Sequence, residues 1–205
     1  PKDEFTVSLW FCASNLPAAR EGRKNTGTEY SLFNRGWDWR LHFRSNGQPE
    51  AAAGSLHLFF YSTKEQAYSQ ASAGVPLEPG RWHHAAFALS RSAGRCTLFV
   101  NGSRVTSFAL LPLADAAGTP ITLGSDPGNY FVFNGQLADV KLYDRAMGEA
   151  DLAAAEQTFL RRRIGDLAAQ TPASGVRDLA RAVLSNETVS AKDYGRLQQE
   201  VARAE

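Results

Sequence analysis

Gly80–Val105 reads GRWHHAAFALSRSAGRCTLFVNGSRV, and the reading of this stretch decides the fold. Apolar and polar residues alternate on both sides of a turn at Ala93-Gly94. That is the period of strands whose successive side chains look to opposite faces. Asn101-Gly102 then stands between two further runs of the same kind. A type I′ hairpin needs φ > 0 at both central residues, and Asn-Gly is the pair that tolerates this best. The stretch predicts three antiparallel strands in a meander.

Similar signals extend in both directions. Phe5–Phe11 (FTVSLWF) puts Phe5, Val7, Leu9 and Phe11 on one face of a strand. Tyr30–Asn34 and Trp39–Phe43 read as a hairpin about the Arg35-Gly36-Trp37-Asp38 corner, and Leu56–Tyr61 as the next strand. Thr63–Gly80 reads as a long connection closed by Pro79-Gly80, a turn pair. After the meander come PITLGSD (Pro120–Asp126) and FNGQLADVKLYDRAMGEADL (Phe133–Leu152). Short strands recurring at about eight-to-twelve-residue intervals fit an all-β sandwich.

The pattern changes at Met147. Leu152, Ala155, Phe159 and Leu167 fall at helical spacing with Ile164 beside them, and alanine becomes abundant. Thr171-Pro172 offers a cap followed by proline in a first helical turn. Val176, Leu179, Val183 and Leu184 form a second apolar stripe. Ser190-Ala-Lys-Asp193 resembles a capping box ahead of a third, Tyr194, Leu197 and Val201. Short helices are marginal alone, so these stripes need a surface to cover or a further domain to join.

The chain has 205 residues, with 22 basic and 21 acidic side chains interspersed, for a formal net charge of +1. That balance argues against a nucleic-acid footprint. No apolar run has the length of a membrane span. The chain opens Pro1-Lys2 and reads as a piece of a longer polypeptide. Its two cysteines, Cys12 and Cys96, could form one disulfide if the strands bring their Cβ atoms within about 4.5 Å, and could equally remain thiols. No Cys/His cluster or His-Glu-x-x-His motif points to zinc.

Five segments resemble the laminin-G-like domains of the concanavalin A-like lectin and glucanase superfamily. Phe5–Phe11 is similar to its F-T-[IV]-S-x-W strand, and Gly80-Arg81-Trp82-His83-His84 to its G-x-W-x-H segment. Leu98–Gly102 is similar to L-Y-V-N-G, Ile121–Gly124 to I-x-I-G, and Gly135–Met147 to the closing strand G-x-I-D-E-V-R-I-Y-N-R-A-L. The resemblance implies a mainly β protein: a two-sheet antiparallel jelly-roll sandwich over residues 1–147, with a helical C-terminal extension or linker over 148–205. Members usually carry a strand ahead of the F-T-V-S segment. Its absence implies an open sheet edge, or one that the tail covers.

The superfamily holds both hydrolases and binding modules. Its hydrolases aim two or three carboxylates into a cleft from one strand as E-x-D-x-E, since i, i+2 and i+4 share a face. Residues 1–147 contain no such spacing, and Glu149-Ala150-Asp151 is explained by the first turn of a helix. His83 and His84 are adjacent on a strand, face opposite ways and cannot form a metal pair. The expectation is a non-catalytic module of a larger exported, periplasmic or cell-surface protein, with a carbohydrate or glycoprotein ligand and neighbouring domains of the same polypeptide as partners. A structural or protein-interaction spacer that positions a neighbouring catalytic domain is the alternative, and a glycoside hydrolase of unfamiliar layout is a third reading. Sugar sites use exposed aromatic rings flanked by amides and carboxylates, which selects Trp37, Asp38, Asn129 and Tyr130, with Phe131 beside them. Trp10, Trp82 and Trp39 read as packing residues. Calcium is the cofactor that the pentraxin-like relatives imply, with Asp126 as its candidate ligand. A solvated Asp-Pro-Gly turn is the other reading there.

Overall fold

The computed structural model describes residues 3–17, 29–36, 38–44, 54–113, 118–128 and 130–204. Among the described residues, ten strands precede three helices. β1 (Glu4–Ala13), β6 (Trp82–Ser90), β7 (Arg95–Val100), β8 (Ser103–Ala109) and β10 (Gly135–Tyr143) form one sheet in the order β10-β1-β6-β7-β8. β2 (Glu29–Arg35), β3 (Trp39–Arg44), β4 (Ser55–Ser62), β5 (Ala67–Ser72) and β9 (Thr122–Leu123) form the other, in the order β5-β4-β3-β2-β9. We call these sheets A and B. All pairings are antiparallel. This is the expected jelly-roll sandwich.

The decisive stretch folds as its pattern requires. β6 pairs with β7 from Ala85↔Val100 to Ser90↔Arg95, and β7 with β8 through the Asn101-Gly102 turn. Both turn residues sit at positive φ, 48° and 74°. One strand departs from the sequence reading. β5 lies inside Thr63–Gly80, whose sequence reads as a connection. Its Ala-Tyr-Ser-Gln-Ala-Ser composition carries only one large side chain, so alternation of hydrophobicity gives almost no signal there.

The two sheets meet over one apolar core. Phe5, Val7, Leu9 and Phe11 of β1 face Leu41, Phe43, Leu58 and Phe60 of sheet B, all buried. Trp39 is in this core, stacked on Phe33 with ring centroids 5.2 Å apart, which agrees with its reading as a packing residue.

The other face of sheet A is covered too, by α1 (Glu149–Gln170), α2 (Ser174–Leu184) and α3 (Ala191–Ala204). Ala86 and Ala88 leave room on β6 for Met147 and Leu152 to approach. Farther along, Trp10 and Trp82 enter a second core with Phe159, Leu160, Ile164, Tyr194 and Leu197. Trp10 stacks on Phe159 at 4.4 Å between centroids. The two strand tryptophans are thus packing residues, but of the helix–sheet interface rather than of the sandwich interior. Thr6 fixes the crossing into α1: its hydroxyl donates to Arg145 O and accepts from Met147 N–H, each at 2.8 Å.

Two local readings are corrected or fulfilled in the helices. Thr171 ends α1 instead of capping α2, which begins at Ser174 with Ala173 at its cap position. The Ser190/Asp193 box forms: Asp193 N–H donates to Ser190 Oγ at 3.2 Å, and Ser190 N–H to Asp193 Oδ2 at 2.9 Å. The cysteines are both unpaired. Cys96 lies in the inter-sheet core and Cys12 packs towards the helices, so no bridge links them. Among the described residues β10 pairs with β1 alone and forms one edge of sheet A. Among the described residues no helix is long and apolar enough to cross a membrane.

Candidate functional site

Sheet B turns a polar face away from the core. Register fixes who stands beside whom on it. Tyr61 faces Tyr68 across β4 and β5. The next rank runs Thr122, Asn34, Arg40, Phe59, Gln70 across all five strands. Behind it come Ser31, His42, His57, Ser72, and then Glu29, Arg44, Ser55. The alternation is plain in β3 itself, Trp-Arg-Leu-His-Phe-Arg: Leu41 and Phe43 go to the core, and Arg40, His42 and Arg44 to the face.

Arg40 is the centre of this face. Its guanidinium pairs with Glu29 Oε2 at 3.0 Å through one nitrogen and with Asp126 Oδ2 through another. It also lies between two rings, 5.4 Å from the Phe59 centroid and 5.0 Å from that of Phe131. Asn34 Nδ2 donates to the second oxygen of Asp126 at 2.7 Å. Arg44 Nε adds a further contact to Glu29 at 3.4 Å. Burial raises the Glu29 carboxyl above its ordinary value, although Arg44 and Arg40 pull the other way.

The imidazoles are neutral fillers of the same ladder. Burial holds His57 down to about 4, with Arg44 adding to the effect, and burial puts His42 well below its ordinary value. His57 hydrogen-bonds Ser72 Oγ at 2.8 Å and Gln70 Oε1 at 3.3 Å. His42 Nδ1, Ser31 Oγ and Asn34 Oδ1 are buried polar atoms without a hydrogen-bond partner among the described residues. They belong to one face of one sheet, where such atoms are uncommon and call for an explanation.

A short loop frames the face beyond β9. Asp126 N–H donates to Tyr130 O, Ser31 N–H to Phe131 O and Phe133 N–H to Gly124 O, at 2.7 to 2.8 Å. Phe131 is held at φ 53°, an unfavourable conformation for a bulky aromatic, and this aims its ring over Arg40. Tyr130 projects outward at 68 % exposure. On the opposite flank, Tyr68 is 50 % exposed, with its ring 4.9 Å from Tyr61 and at right angles to Phe59. Asp38 lies at this same flank: its carbonyl accepts Tyr61 N–H at 2.8 Å, and its carboxylate faces Arg35 Nε at 4.0 Å.

The residues selected from sequence are therefore divided. Asp38 and Tyr130 lie at opposite flanks of sheet B. Trp37 and Asn129 lie outside the described residues. Asp126 is buried against Arg40 and Asn34 rather than standing in a solvated turn. A guanidinium and an amide N–H occupy both of its oxygens, a donor set that does not fit calcium, which needs six to eight oxygen ligands. Among the described residues no group of three or more His, Cys, Asp or Glu side chains is placed to hold a metal ion. Sequence reasoning missed Arg40, His42, His57, Glu29, Tyr61 and Tyr68. The polar alternation in β3 and in Leu56-His57-Leu58 carried the signal for three of them.

Residues 1–153 match the family model described as the concanavalin A-like lectin/glucanases superfamily. No curated protein matches the chain. Among solved structures, the chain is similar to the CBM40 of the Ruminococcus gnavus IT-sialidase, at 15 % identity and a TM-score of 0.57 over 75 % of this chain and 82 % of that one. It is similar to domain 4 of AbnA, a GH43 extracellular arabinanase from Geobacillus stearothermophilus solved with arabinotriose, at 18 % identity and 0.54 over 76 % and 67 %. It also resembles the binding domain of Paraclostridial Mosquitocidal Protein 1, at 18 % and 0.55, where 77 % of this chain covers 37 % of that one. At these identities the likeness is one of fold. With three quarters of its length matched by the family model, the chain belongs to the concanavalin A-like lectin/glucanase superfamily.

Proposed function

We propose that this chain is a non-catalytic carbohydrate-binding module of a larger exported or cell-surface protein, and that its ligand lies on the Tyr61–Tyr68 flank of sheet B. The observation that carries this reading is the tyrosine pair. Two rings 4.9 Å apart, one of them half exposed, give a sugar C–H face a platform on a rigid sheet. Gln70, exposed on the neighbouring rank, supplies a polar group beside it. The solved relatives that are named as carbohydrate-binding module or arabinotriose complex support the reading without fixing the ligand.

The carboxylates of this face are held for packing rather than for catalysis. Glu29 and Asp126 are the two that approach one another on this face, and both are held by the same guanidinium. A nucleophile or general acid must reach the substrate, whereas Asp126 is buried and Phe131 lies over the arginine that bridges the two. Tyr130 on the far flank is the second candidate platform, with Trp37 and Asn129 kept as sequence-based candidates.

A glycan array run with the wild type, Tyr68→Ala and Tyr130→Ala tests the proposal. Loss of signal in Tyr68→Ala at unchanged melting temperature supports the β4–β5 flank, and loss in Tyr130→Ala alone moves the site to the loop. No glycan signal with any of the three favours the spacer reading. Turnover of any glycoside in a broad panel defeats the non-catalytic assignment.

A further inference from the structure

Glu156 lies where α1 crosses the β7–β8 turn, and its residue is only 8 % exposed. A Cβ added at Gly102 would collide with the Glu156 carboxylate and stand 3.4 Å from Ala153 Cα. Glycine at 102 thus serves twice, for its positive φ and for the helix that presses on it. Among the described residues the Glu156 carboxylate has no hydrogen-bond or ion-pair partner, and it borders a solvent-filled recess instead.

Every element around it brings polar groups, and each is engaged elsewhere or left apart. From the turn, Asn101 Oδ1 accepts His84 N–H at 3.0 Å, and Asn101 Nδ2 lies 3.4 Å from His83 Nδ1. Arg104 N–H donates to Glu149 of α1 at 2.9 Å. Gln157 exchanges two hydrogen bonds with the Val189 backbone, each 2.8 Å. Ser190 and Asp193 cap each other, and Lys192 at the start of α3 is exposed and unpaired with Glu156. Asn101, Ser103, Gln157, Ser190 and Lys192 line a recess that leads to the carboxyl.

We propose that Glu156 is a proton-operated clasp: neutral, it seats α1 on the β7–β8 turn, and ionised, it loosens the helical layer from sheet A. Burial alone raises this carboxyl from 4.5 to about 7, with no charge or hydrogen bond offsetting it. A group raised on folding contributes its full stability below the unfolded value of 4.5 and loses it as pH rises through about 7. Ionisation therefore opposes docking just above neutrality. Lys192, exposed on the same recess, is a cation that could counter it.

The test is amide hydrogen exchange of α1, α2 and α3, corrected for intrinsic rates, in the wild type and Glu156→Gln at pH 5.5 and 8.5. For openings that expose Glu156, the two carboxyl values give a fall in protection of about 30-fold between these pH values in the wild type. Glu156→Gln should change less than about threefold, with β3 and β4 amides alike in both proteins. Equal pH dependence in the two proteins overturns the clasp. Carbon-13 titration of the Glu156 carboxyl in the wild type is a second check that does not depend on the variant. A midpoint near 7 is expected, and one in the ordinary carboxylate range overturns the proposal.

Discussion

Replacing Asp126 by alanine removes one of the two carboxylates that neutralise Arg40 in a face where the arginine side chain is 4 % exposed. Breaking a buried pair from one side strands the other charge and costs about 3–5 kcal/mol. Here Glu29 stays on Arg40 at 3.0 Å, so the low end applies, about 3 kcal/mol. In a chain of this size that corresponds to a fall in melting temperature of about 6–12 °C. The assay is urea unfolding of the wild type, Asp126→Ala, Arg40→Met and the double variant, each with EDTA and with millimolar calcium. The pair predicts a large loss in Asp126→Ala, a double variant less unstable than the sum of the singles, and no calcium dependence anywhere. A loss below about 1 kcal/mol, or a loss seen only when calcium is present, refutes the reasoning and restores Asp126 as a metal ligand.

Other parts of the molecule yield equally direct expectations. Phe159→Ala deletes the ring stacked on Trp10 and should cost about 3 kcal/mol, with Trp10 fluorescence reporting the loosened layer; a loss under about 1 kcal/mol would mean that the helices dock without it. Burial holds His57 and His84 each down to about 4, so each contributes stability that is complete above 6.5 and disappears as pH falls towards 4. His57→Gln should flatten the acid limb of a stability–pH curve by up to about 3 kcal/mol, and an unchanged limb would show that the imidazole titrates normally.

The fold was legible because its signals are local. Asn101-Gly102, the β1 alternation and the closing strand each name their own geometry, and sheet A follows from them. β5 was not legible, since Tyr68 and five small or polar residues have no apolar rhythm; their strand exists because β4 offers an edge to pair with. The candidate face was half legible. Tyr68 and Tyr61 are seven residues apart in sequence, and only the β4–β5 register makes them neighbours. Exposed aromatics are expected in loops, whereas this pair stands on strands. Asp126 shows the reverse case: its Asp-Pro-Gly context suggested a solvated turn or a cation site. Arg40, remote in sequence, then took the place a cation would have filled. The strand positions of Trp10 and Trp82 mark them as packing residues, but what they pack against depends on Phe159, which belongs to a helix whose docking no local pattern encodes.

The central claim is tested most directly by titrating the isotopically labelled protein with the strongest array glycan and following backbone amide shifts, beside calorimetry on Tyr68→Ala. The account predicts shifts confined to β4, β5 and the Asp38 corner, with affinity reduced about tenfold or more in Tyr68→Ala, the equivalent of about 1.4 kcal/mol. Shifts centred on the 124–133 loop or on the helical layer, with full affinity retained in Tyr68→Ala, would contradict it.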